Sequence, residues 1–136
     1  MFAIGIRDHV MIAHSFRGEL FGPAQKLHGA TYIVDVAFFR ESLDESNVVI
    51  DIARASEVLH EILGKLTFQN LDDLPEFKGQ NTTTEFLARW VFEKMAEAAK
   101  SGAVGPGGPS LTSMKVTLHE SHVAWASYEK ALPARA

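Results

Sequence analysis

Apolar side chains recur at every second position near both ends of this chain and at every third or fourth position through its middle. No other feature narrows the fold as much, because period two belongs to strands and period 3.6 to helices. Phe2, Ile4, Ile6, Val10 and Ile12 alternate, interrupted only by Asp8, and His14 and Phe16 continue the same parity. This predicts a first strand with one buried face. Thr31 to Phe39 is dense in β-branched and aromatic residues and predicts a second strand. Between them Arg17 to Leu27, with Gly18, Gly22 and Pro23, reads as a loop. Two strands so joined form an antiparallel pair most simply.

The period changes at Ile52. Ile52, Ala55, Val58, Leu59, Ile62, Leu63 and Leu66 fall on one helical stripe, with Asp51 placed to cap it. After a loop through Asp72, Asp73, Pro75 and Gly79, the spacing of Thr82 and Glu85 predicts a capping box. Phe86, Leu87, Trp90, Val91, Met95, Ala98 and Ala99 then outline a second amphipathic helix. The run from Gly102 to Pro109 breaks it and predicts an exposed connection. Met114, Val116 and Leu118 alternate again, and Val123 to Tyr128 supplies a last strand. The order β-β-α-α-β-β predicts an α+β fold, with two helices on one face of a four-stranded antiparallel sheet. The edges of such a sheet would be open to coverage by other subunits.

With 136 residues, a single domain spanning 1–136 is expected. Thirteen basic and 17 acidic residues are interspersed, giving a net charge of −4. That balance speaks against nucleic acid as a partner, which requires a clustered basic face. Cysteine is absent, which excludes disulfides, thiolate metal ligands and a cysteine nucleophile. The first residues lack the pattern of a signal peptide, and no run approaches the ~18 apolar residues of a membrane span. A cytoplasmic location without membrane contact is the expectation.

Three positions stand apart from the structural pattern. His14 ends the first strand on its inward parity, His28 opens the second, and Glu120 follows Met114, Val116 and Leu118 on the parity expected to be buried. Taken singly, a histidine at a strand end is an ordinary packed residue, and a glutamate closing a strand ordinarily meets water. A carboxylate on an apolar face is nevertheless costly unless donors compensate it, and a pocket for a donor-rich ligand would do so. His9, His60, His119 and His122 carry weaker signals, and His60 can pack beside the helical stripe.

The same residues fall into a known order. Ala13-His14, Leu27-His28-Gly29-Ala30-Thr31-Tyr32, Asp51 with its helix, Asn81-Thr82-Thr83-Thr84-Glu85-Phe86-Leu87-Ala88-Arg89-Trp90, and His119-Glu120-Ser121 follow one another along nearly the whole chain. This series resembles the family of 6-pyruvoyl-tetrahydropterin synthase and 6-carboxytetrahydropterin synthase. The resemblance implies a tunnelling fold, in which sheets join into a trimeric barrel and two trimers stack into a homo-hexamer. It also implies pterin sites between subunits, and a lyase or synthase reaction on dihydroneopterin triphosphate. The alternative is a non-catalytic or altered-chemistry oligomer that binds a pterin or purine.

In that family three histidines bind zinc. The matching positions here are His14, His28 and Ala30, so zinc is expected only at an incomplete metal site. His122 is a candidate replacement ligand. The family's catalytic cysteine matches Ala24, and its Asp-His pair matches Thr67 and Phe68, so the expected catalytic positions lack groups able to move a proton. Glu19 lies in the loop where some relatives carry an alternative base, though not at the matching position. Glu120 resembles the carboxylate that anchors the pterin ring, and Thr83 is the expected second pterin contact.

Overall fold

The computed structural model describes residues 1–133. The first strand, β1, runs over Phe2–His14 and the second, β2, over His28–Arg40. They pair antiparallel from Phe2↔Arg40 through His14↔His28, so both histidines close the same end of the ladder. The expected α+β order follows: α1 is Ile52–Gly64, α2 is Thr84–Ser101, β3 is Ser113–Ser121 and β4 is Ala124–Ala131. The sheet is an antiparallel meander in the order β1-β2-β3-β4.

Alternation places Val10, Ile12, Tyr32, Val34, Val36, Phe38, Met114, Val116 and Leu118 on one face, all buried. Against them pack Ala55, Leu59, Ile62 and Leu63 from α1, and Leu87, Ala88, Trp90, Val91, Phe92, Met95 and Ala99 from α2. Each large apolar side chain so enclosed contributes roughly 1.5–3 kcal/mol, which is why the period of the pattern selects the layer arrangement. The opposite face carries polar groups. There Arg7 holds Asp35 through two hydrogen bonds of 2.6 and 2.9 Å, and His119 Nε2 lies 3.0 Å from the same carboxylate. Asp8, the break in the β1 alternation, meets His60 of α1 at 3.0 Å, so the interruption is matched by a partner.

The cap of α1 is as expected: Asp51 Oδ1 accepts from the amides of Ala53 and Arg54 at 3.0 and 3.1 Å. That of α2 differs. Thr83, not Thr82, is the N-cap, its hydroxyl accepting from Phe86 N at 3.2 Å, while Thr82 is drawn away to His14. The Thr82–Glu85 capping box is therefore displaced by a competing side-chain bond. The connection after α2 also differs from expectation. Val104, Gly105, Gly107 and Gly108 are buried, because the chain passes so close to its neighbours that a Cβ on Gly107 would collide with the Val49 carbonyl and one on Gly108 with that of Ala99. Glycine there permits close packing. Among the described residues no helix is long and apolar enough to cross a membrane.

Candidate functional site

Because β1 ends where β2 begins, the hydrogen-bond register sets His14 directly opposite His28. Their rings meet edge to face with centroids 4.7 Å apart, and Phe16 packs against both at 4.5 and 5.5 Å. Phe21, from the short 3-10 turn at Glu19–Gln25, extends the aromatic cluster. His14 is almost fully buried, at 1% exposure. Its Nδ1 lies 2.9 Å from the Thr82 hydroxyl. Burial, reinforced by the neighbouring His28, lowers the His14 pKa to about 4, so the ring is neutral at neutral pH. His28 uses its Nδ1 on the Lys26 carbonyl at 2.9 Å, which fixes that nitrogen as the donor and leaves Nε2 as the acceptor.

The wall behind His14 is built from two clasps. Ser15 Oγ donates to Asp72 Oδ2 at 2.6 Å. The Asn81 amide both accepts from Arg17 N at 2.9 Å and donates to Arg17 O at 3.0 Å. Together they bind the turn after β1 to the segment leading into α2, and so bring Thr82 against the buried imidazole.

Glu120 reaches the same place by a different device. The β3–β4 register shifts between His119 and Ser121, leaving Glu120 as the extra residue of a bulge. A bulge re-aims a side chain. Glu120 is accordingly exposed in the single chain, not buried as its parity had predicted, yet it lines the cavity mouth. Its Oε2 accepts from the Thr84 hydroxyl at 2.9 Å. Thr84 also neighbours Tyr32, whose phenol is held protonated because burial pushes its pKa up.

His14, His28, Ala30, Tyr32, Thr83 and Glu120 all border one cavity of about 670 Å³. That volume lies within the range of small-molecule sites. Ala24 lines it too but brings only a methyl group. Thr67 and Phe68 lie elsewhere. Their segment runs along the outer edge of β1, with Phe68 N donating to Met11 O at 2.7 Å and the Phe68 ring 81% exposed. His122 sits in the turn between β3 and β4 and Glu19 at the start of the 3-10 turn, neither on the cavity lining. Thr82, Thr84 and Tyr32 were not expected as site residues. The run of three threonines was the available signal, each hydroxyl taking a separate partner: His14, the α2 amide, and Glu120.

The donor set does not complete a zinc site. Two imidazoles stand together, the third family position is Ala30, and among the described residues no group of three His, Cys, Asp or Glu side chains could hold a metal ion. A catalytic zinc ordinarily requires three protein ligands.

Comparison with known proteins bears on this geometry. The chain is 29% identical over 84 residues to 6-pyruvoyl tetrahydrobiopterin synthase of Dictyostelium discoideum, covering 60% of this chain and 62% of that protein. It is 24% identical over 91 residues to 6-carboxy-5,6,7,8-tetrahydropterin synthase of Bacillus subtilis, covering 64% and 60%. The matched stretches thus span somewhat less than two thirds of either relative. The structure superposes on Caenorhabditis elegans 6-pyruvoyl tetrahydropterin synthase with a TM-score of 0.78 and 26% identity, over 96% of both chains. Residues 3–131 match the family described as 6-pyruvoyl tetrahydropterin synthase, and the chain belongs to that family.

Proposed function

We propose that this chain binds a reduced pterin in the cavity bordered by His14, His28 and Glu120, as a 6-pyruvoyl tetrahydropterin synthase-like protein. The observation that carries this reading is the Glu120 carboxylate at the cavity mouth, one oxygen steadied by Thr84 at 2.9 Å. An ionised carboxylate offers several lone-pair sites, so it can accept paired hydrogen bonds from an amidine edge while keeping the threonine bond. Thr83, at the N-terminus of α2, lines the same cavity and is the second contact. The names of the relatives above agree with a ligand of this class.

Assembly belongs to the same reading. Phe68, Val123 and Trp125 are 81, 80 and 63% exposed in the single chain, and β4 forms one edge of the sheet. Such groups are covered when copies associate. A homo-hexamer of two stacked trimers, with each cavity completed by a neighbouring subunit, accounts for them.

A second reading is favoured by a specific observation: Ala24 faces the cavity where the family places a catalytic cysteine, and Thr67 and Phe68 offer no proton-transfer group. On that reading the chain is a pterin- or purine-binding oligomer without the family's lyase turnover. Thermal shift with neopterin and dihydroneopterin tests the shared claim, since a ligand at 100 times its Kd stabilises by about 2.7 kcal/mol. Glu120→Ala should abolish the shift and leave the oligomer unchanged in light scattering; an undiminished shift overturns the anchor assignment. Incubation with dihydroneopterin triphosphate then separates the readings, product favouring the first and binding without product the second.

A further inference from the structure

We infer that the His14–His28 pair holds no resident metal and engages by hydrogen bonding the hydroxylated side chain of the pterin proposed above. The inference rests on the pterin reading for the ring and on independent observations for the rest.

The donor count comes first. His28 and Ala30 share a face of β2, as residues two apart in a strand do, so position 30 is where a third imidazole would stand. Ala30 borders the cavity there and supplies no ligating atom. Among the described residues no group of three His, Cys, Asp or Glu side chains could hold a metal ion. His60 is on Asp8 and His119 on Asp35, each at 3.0 Å, the latter on the helix-free face of the sheet. Glu85 and Glu120 border the cavity too, Glu120 with one oxygen on the Thr84 hydroxyl. Cysteine is absent from the chain.

The condition of the two rings comes second. His28 donates its Nδ1 proton to the Lys26 carbonyl and so presents an acceptor at Nε2. His14 is braced at Nδ1 by Thr82 and held edge to face against His28 within the Phe16–Phe21 cluster. An imidazole whose Nδ1 is tied down offers its Nε2 as an oriented acceptor for a hydroxyl, and the Phe16 ring packs against it. The ring of the ligand lies toward Glu120, and its hydroxylated side chain toward the imidazoles. Alanine at position 30 leaves that side chain room that an imidazole would take.

The test measures metal first. The oligomer as purified is equilibrated with excess zinc chloride, freed of loose metal by desalting, and measured by elemental analysis, in parallel with Ala30→His and His28→Ala. The native protein is expected to retain under about 0.1 zinc per chain, and Ala30→His about one. Near-stoichiometric zinc in the native protein, lost in His28→Ala, overturns the inference. So does an Ala30→His protein that melts like the native one yet gains no zinc, because the pair would then not be arranged as two thirds of a site. If Ala30→His does not fold, the native content still decides. Neopterin binding by calorimetry should be unchanged by EDTA, and should weaken about tenfold when 6-methylpterin, without the hydroxyls, replaces it. Equal affinity for the two, or loss of binding in EDTA, rejects the role given to the imidazoles. Absence of binding by either pterin refutes the pterin reading itself and leaves the zinc measurement standing.

Discussion

The Thr84 hydroxyl donates to Oε2 of Glu120 across 2.9 Å, joining the first residue of α2 to the bulge of β3. Thr84 is buried, at 8% exposure, whereas Glu120 stands at the cavity mouth. The bond restrains a carboxylate that would otherwise sample several rotamers. Thr84→Val keeps the shape and removes the donor. It should weaken pterin binding about tenfold, on the order of 1.4 kcal/mol, because ordering Glu120 then falls to the binding step. Thr84→Ser should restore most of the affinity. Calorimetric titration of the three proteins with neopterin checks this, and equal affinities would show that Glu120 is held by something else.

The buried imidazole gives the protein an acid-sensitive element. The pKa of His14 is lowered to about 4, by burial first and then by His28, with Asp72 and Glu120 acting in the opposite direction. In the unfolded chain the same ring titrates near its ordinary 6.5. Between these values the unfolded state binds more protons than the folded one, so stability rises with pH across that window and is lost as pH falls through it. His14→Gln, which keeps a polar contact for Thr82 but cannot titrate there, should flatten this part of the profile. Urea unfolding at intervals from pH 4 to pH 7 measures the slope in both proteins. An unchanged slope would move the acid sensitivity to another group.

Exposure of Phe68 has a consequence for assembly. The residue combines 81% exposure with a left-handed backbone, φ 60°, a conformation that disfavours side chains of this size. Its amide holds the carbonyl of Met11 on the outer edge of β1, and the Gln69 carbonyl accepts from Ala13 N beside it, so the segment covers that stretch of the edge while the ring stands exposed. Phe68→Ser should leave the single chain folded, as judged by circular dichroism, and shift the oligomer toward smaller species by tenfold or more in dissociation constant. Unchanged mass by light scattering across a dilution series would place the subunit contact away from β1.

How far the sequence could be read depended on the kind of constraint involved. Layer order and the two strand-end histidines were legible, because alternation and helical stripes report burial directly and because register places the end of β1 opposite the start of β2. Glu120 was legible as a residue but not in its setting. Parity predicted burial, and a one-residue bulge, which leaves no periodic mark, turned the side chain to the cavity mouth. The threonine run was ambiguous for a related reason. Thr82, Thr83 and Thr84 are all adequate caps, and the choice among them is made by His14 and Glu120, which arrive from distant parts of the chain. Composition suggested an exposed loop at Gly102 to Pro109, since it cannot distinguish a glycine that frees the backbone from one that lets two backbones touch.

That last distinction is open to a direct measurement. Gly107 has ordinary helical dihedrals, φ −72° and ψ −17°, so alanine meets no conformational objection there. Its Cβ would nonetheless collide with the Val49 carbonyl and lie 2.9 Å from Arg40 Nη1. Arg40 itself reaches the Val49 carbonyl at 3.4 Å, so the methyl would disturb a packed seam between the end of β2 and the start of α1. Overpacking of this kind costs about 1–3 kcal/mol. In a chain of this length that corresponds to a Tm lower by roughly 3–15 °C. Gly64, at the end of α1, has nothing within 4 Å of its would-be Cβ. Gly64→Ala should therefore stabilise, by about 0.5–1 kcal/mol, through the gain in helix propensity alone. Calorimetric melting of the two variants should move Tm in opposite directions. A Gly107→Ala protein as stable as the native one would mean that the seam yields, and that the glycines after α2 serve flexibility after all.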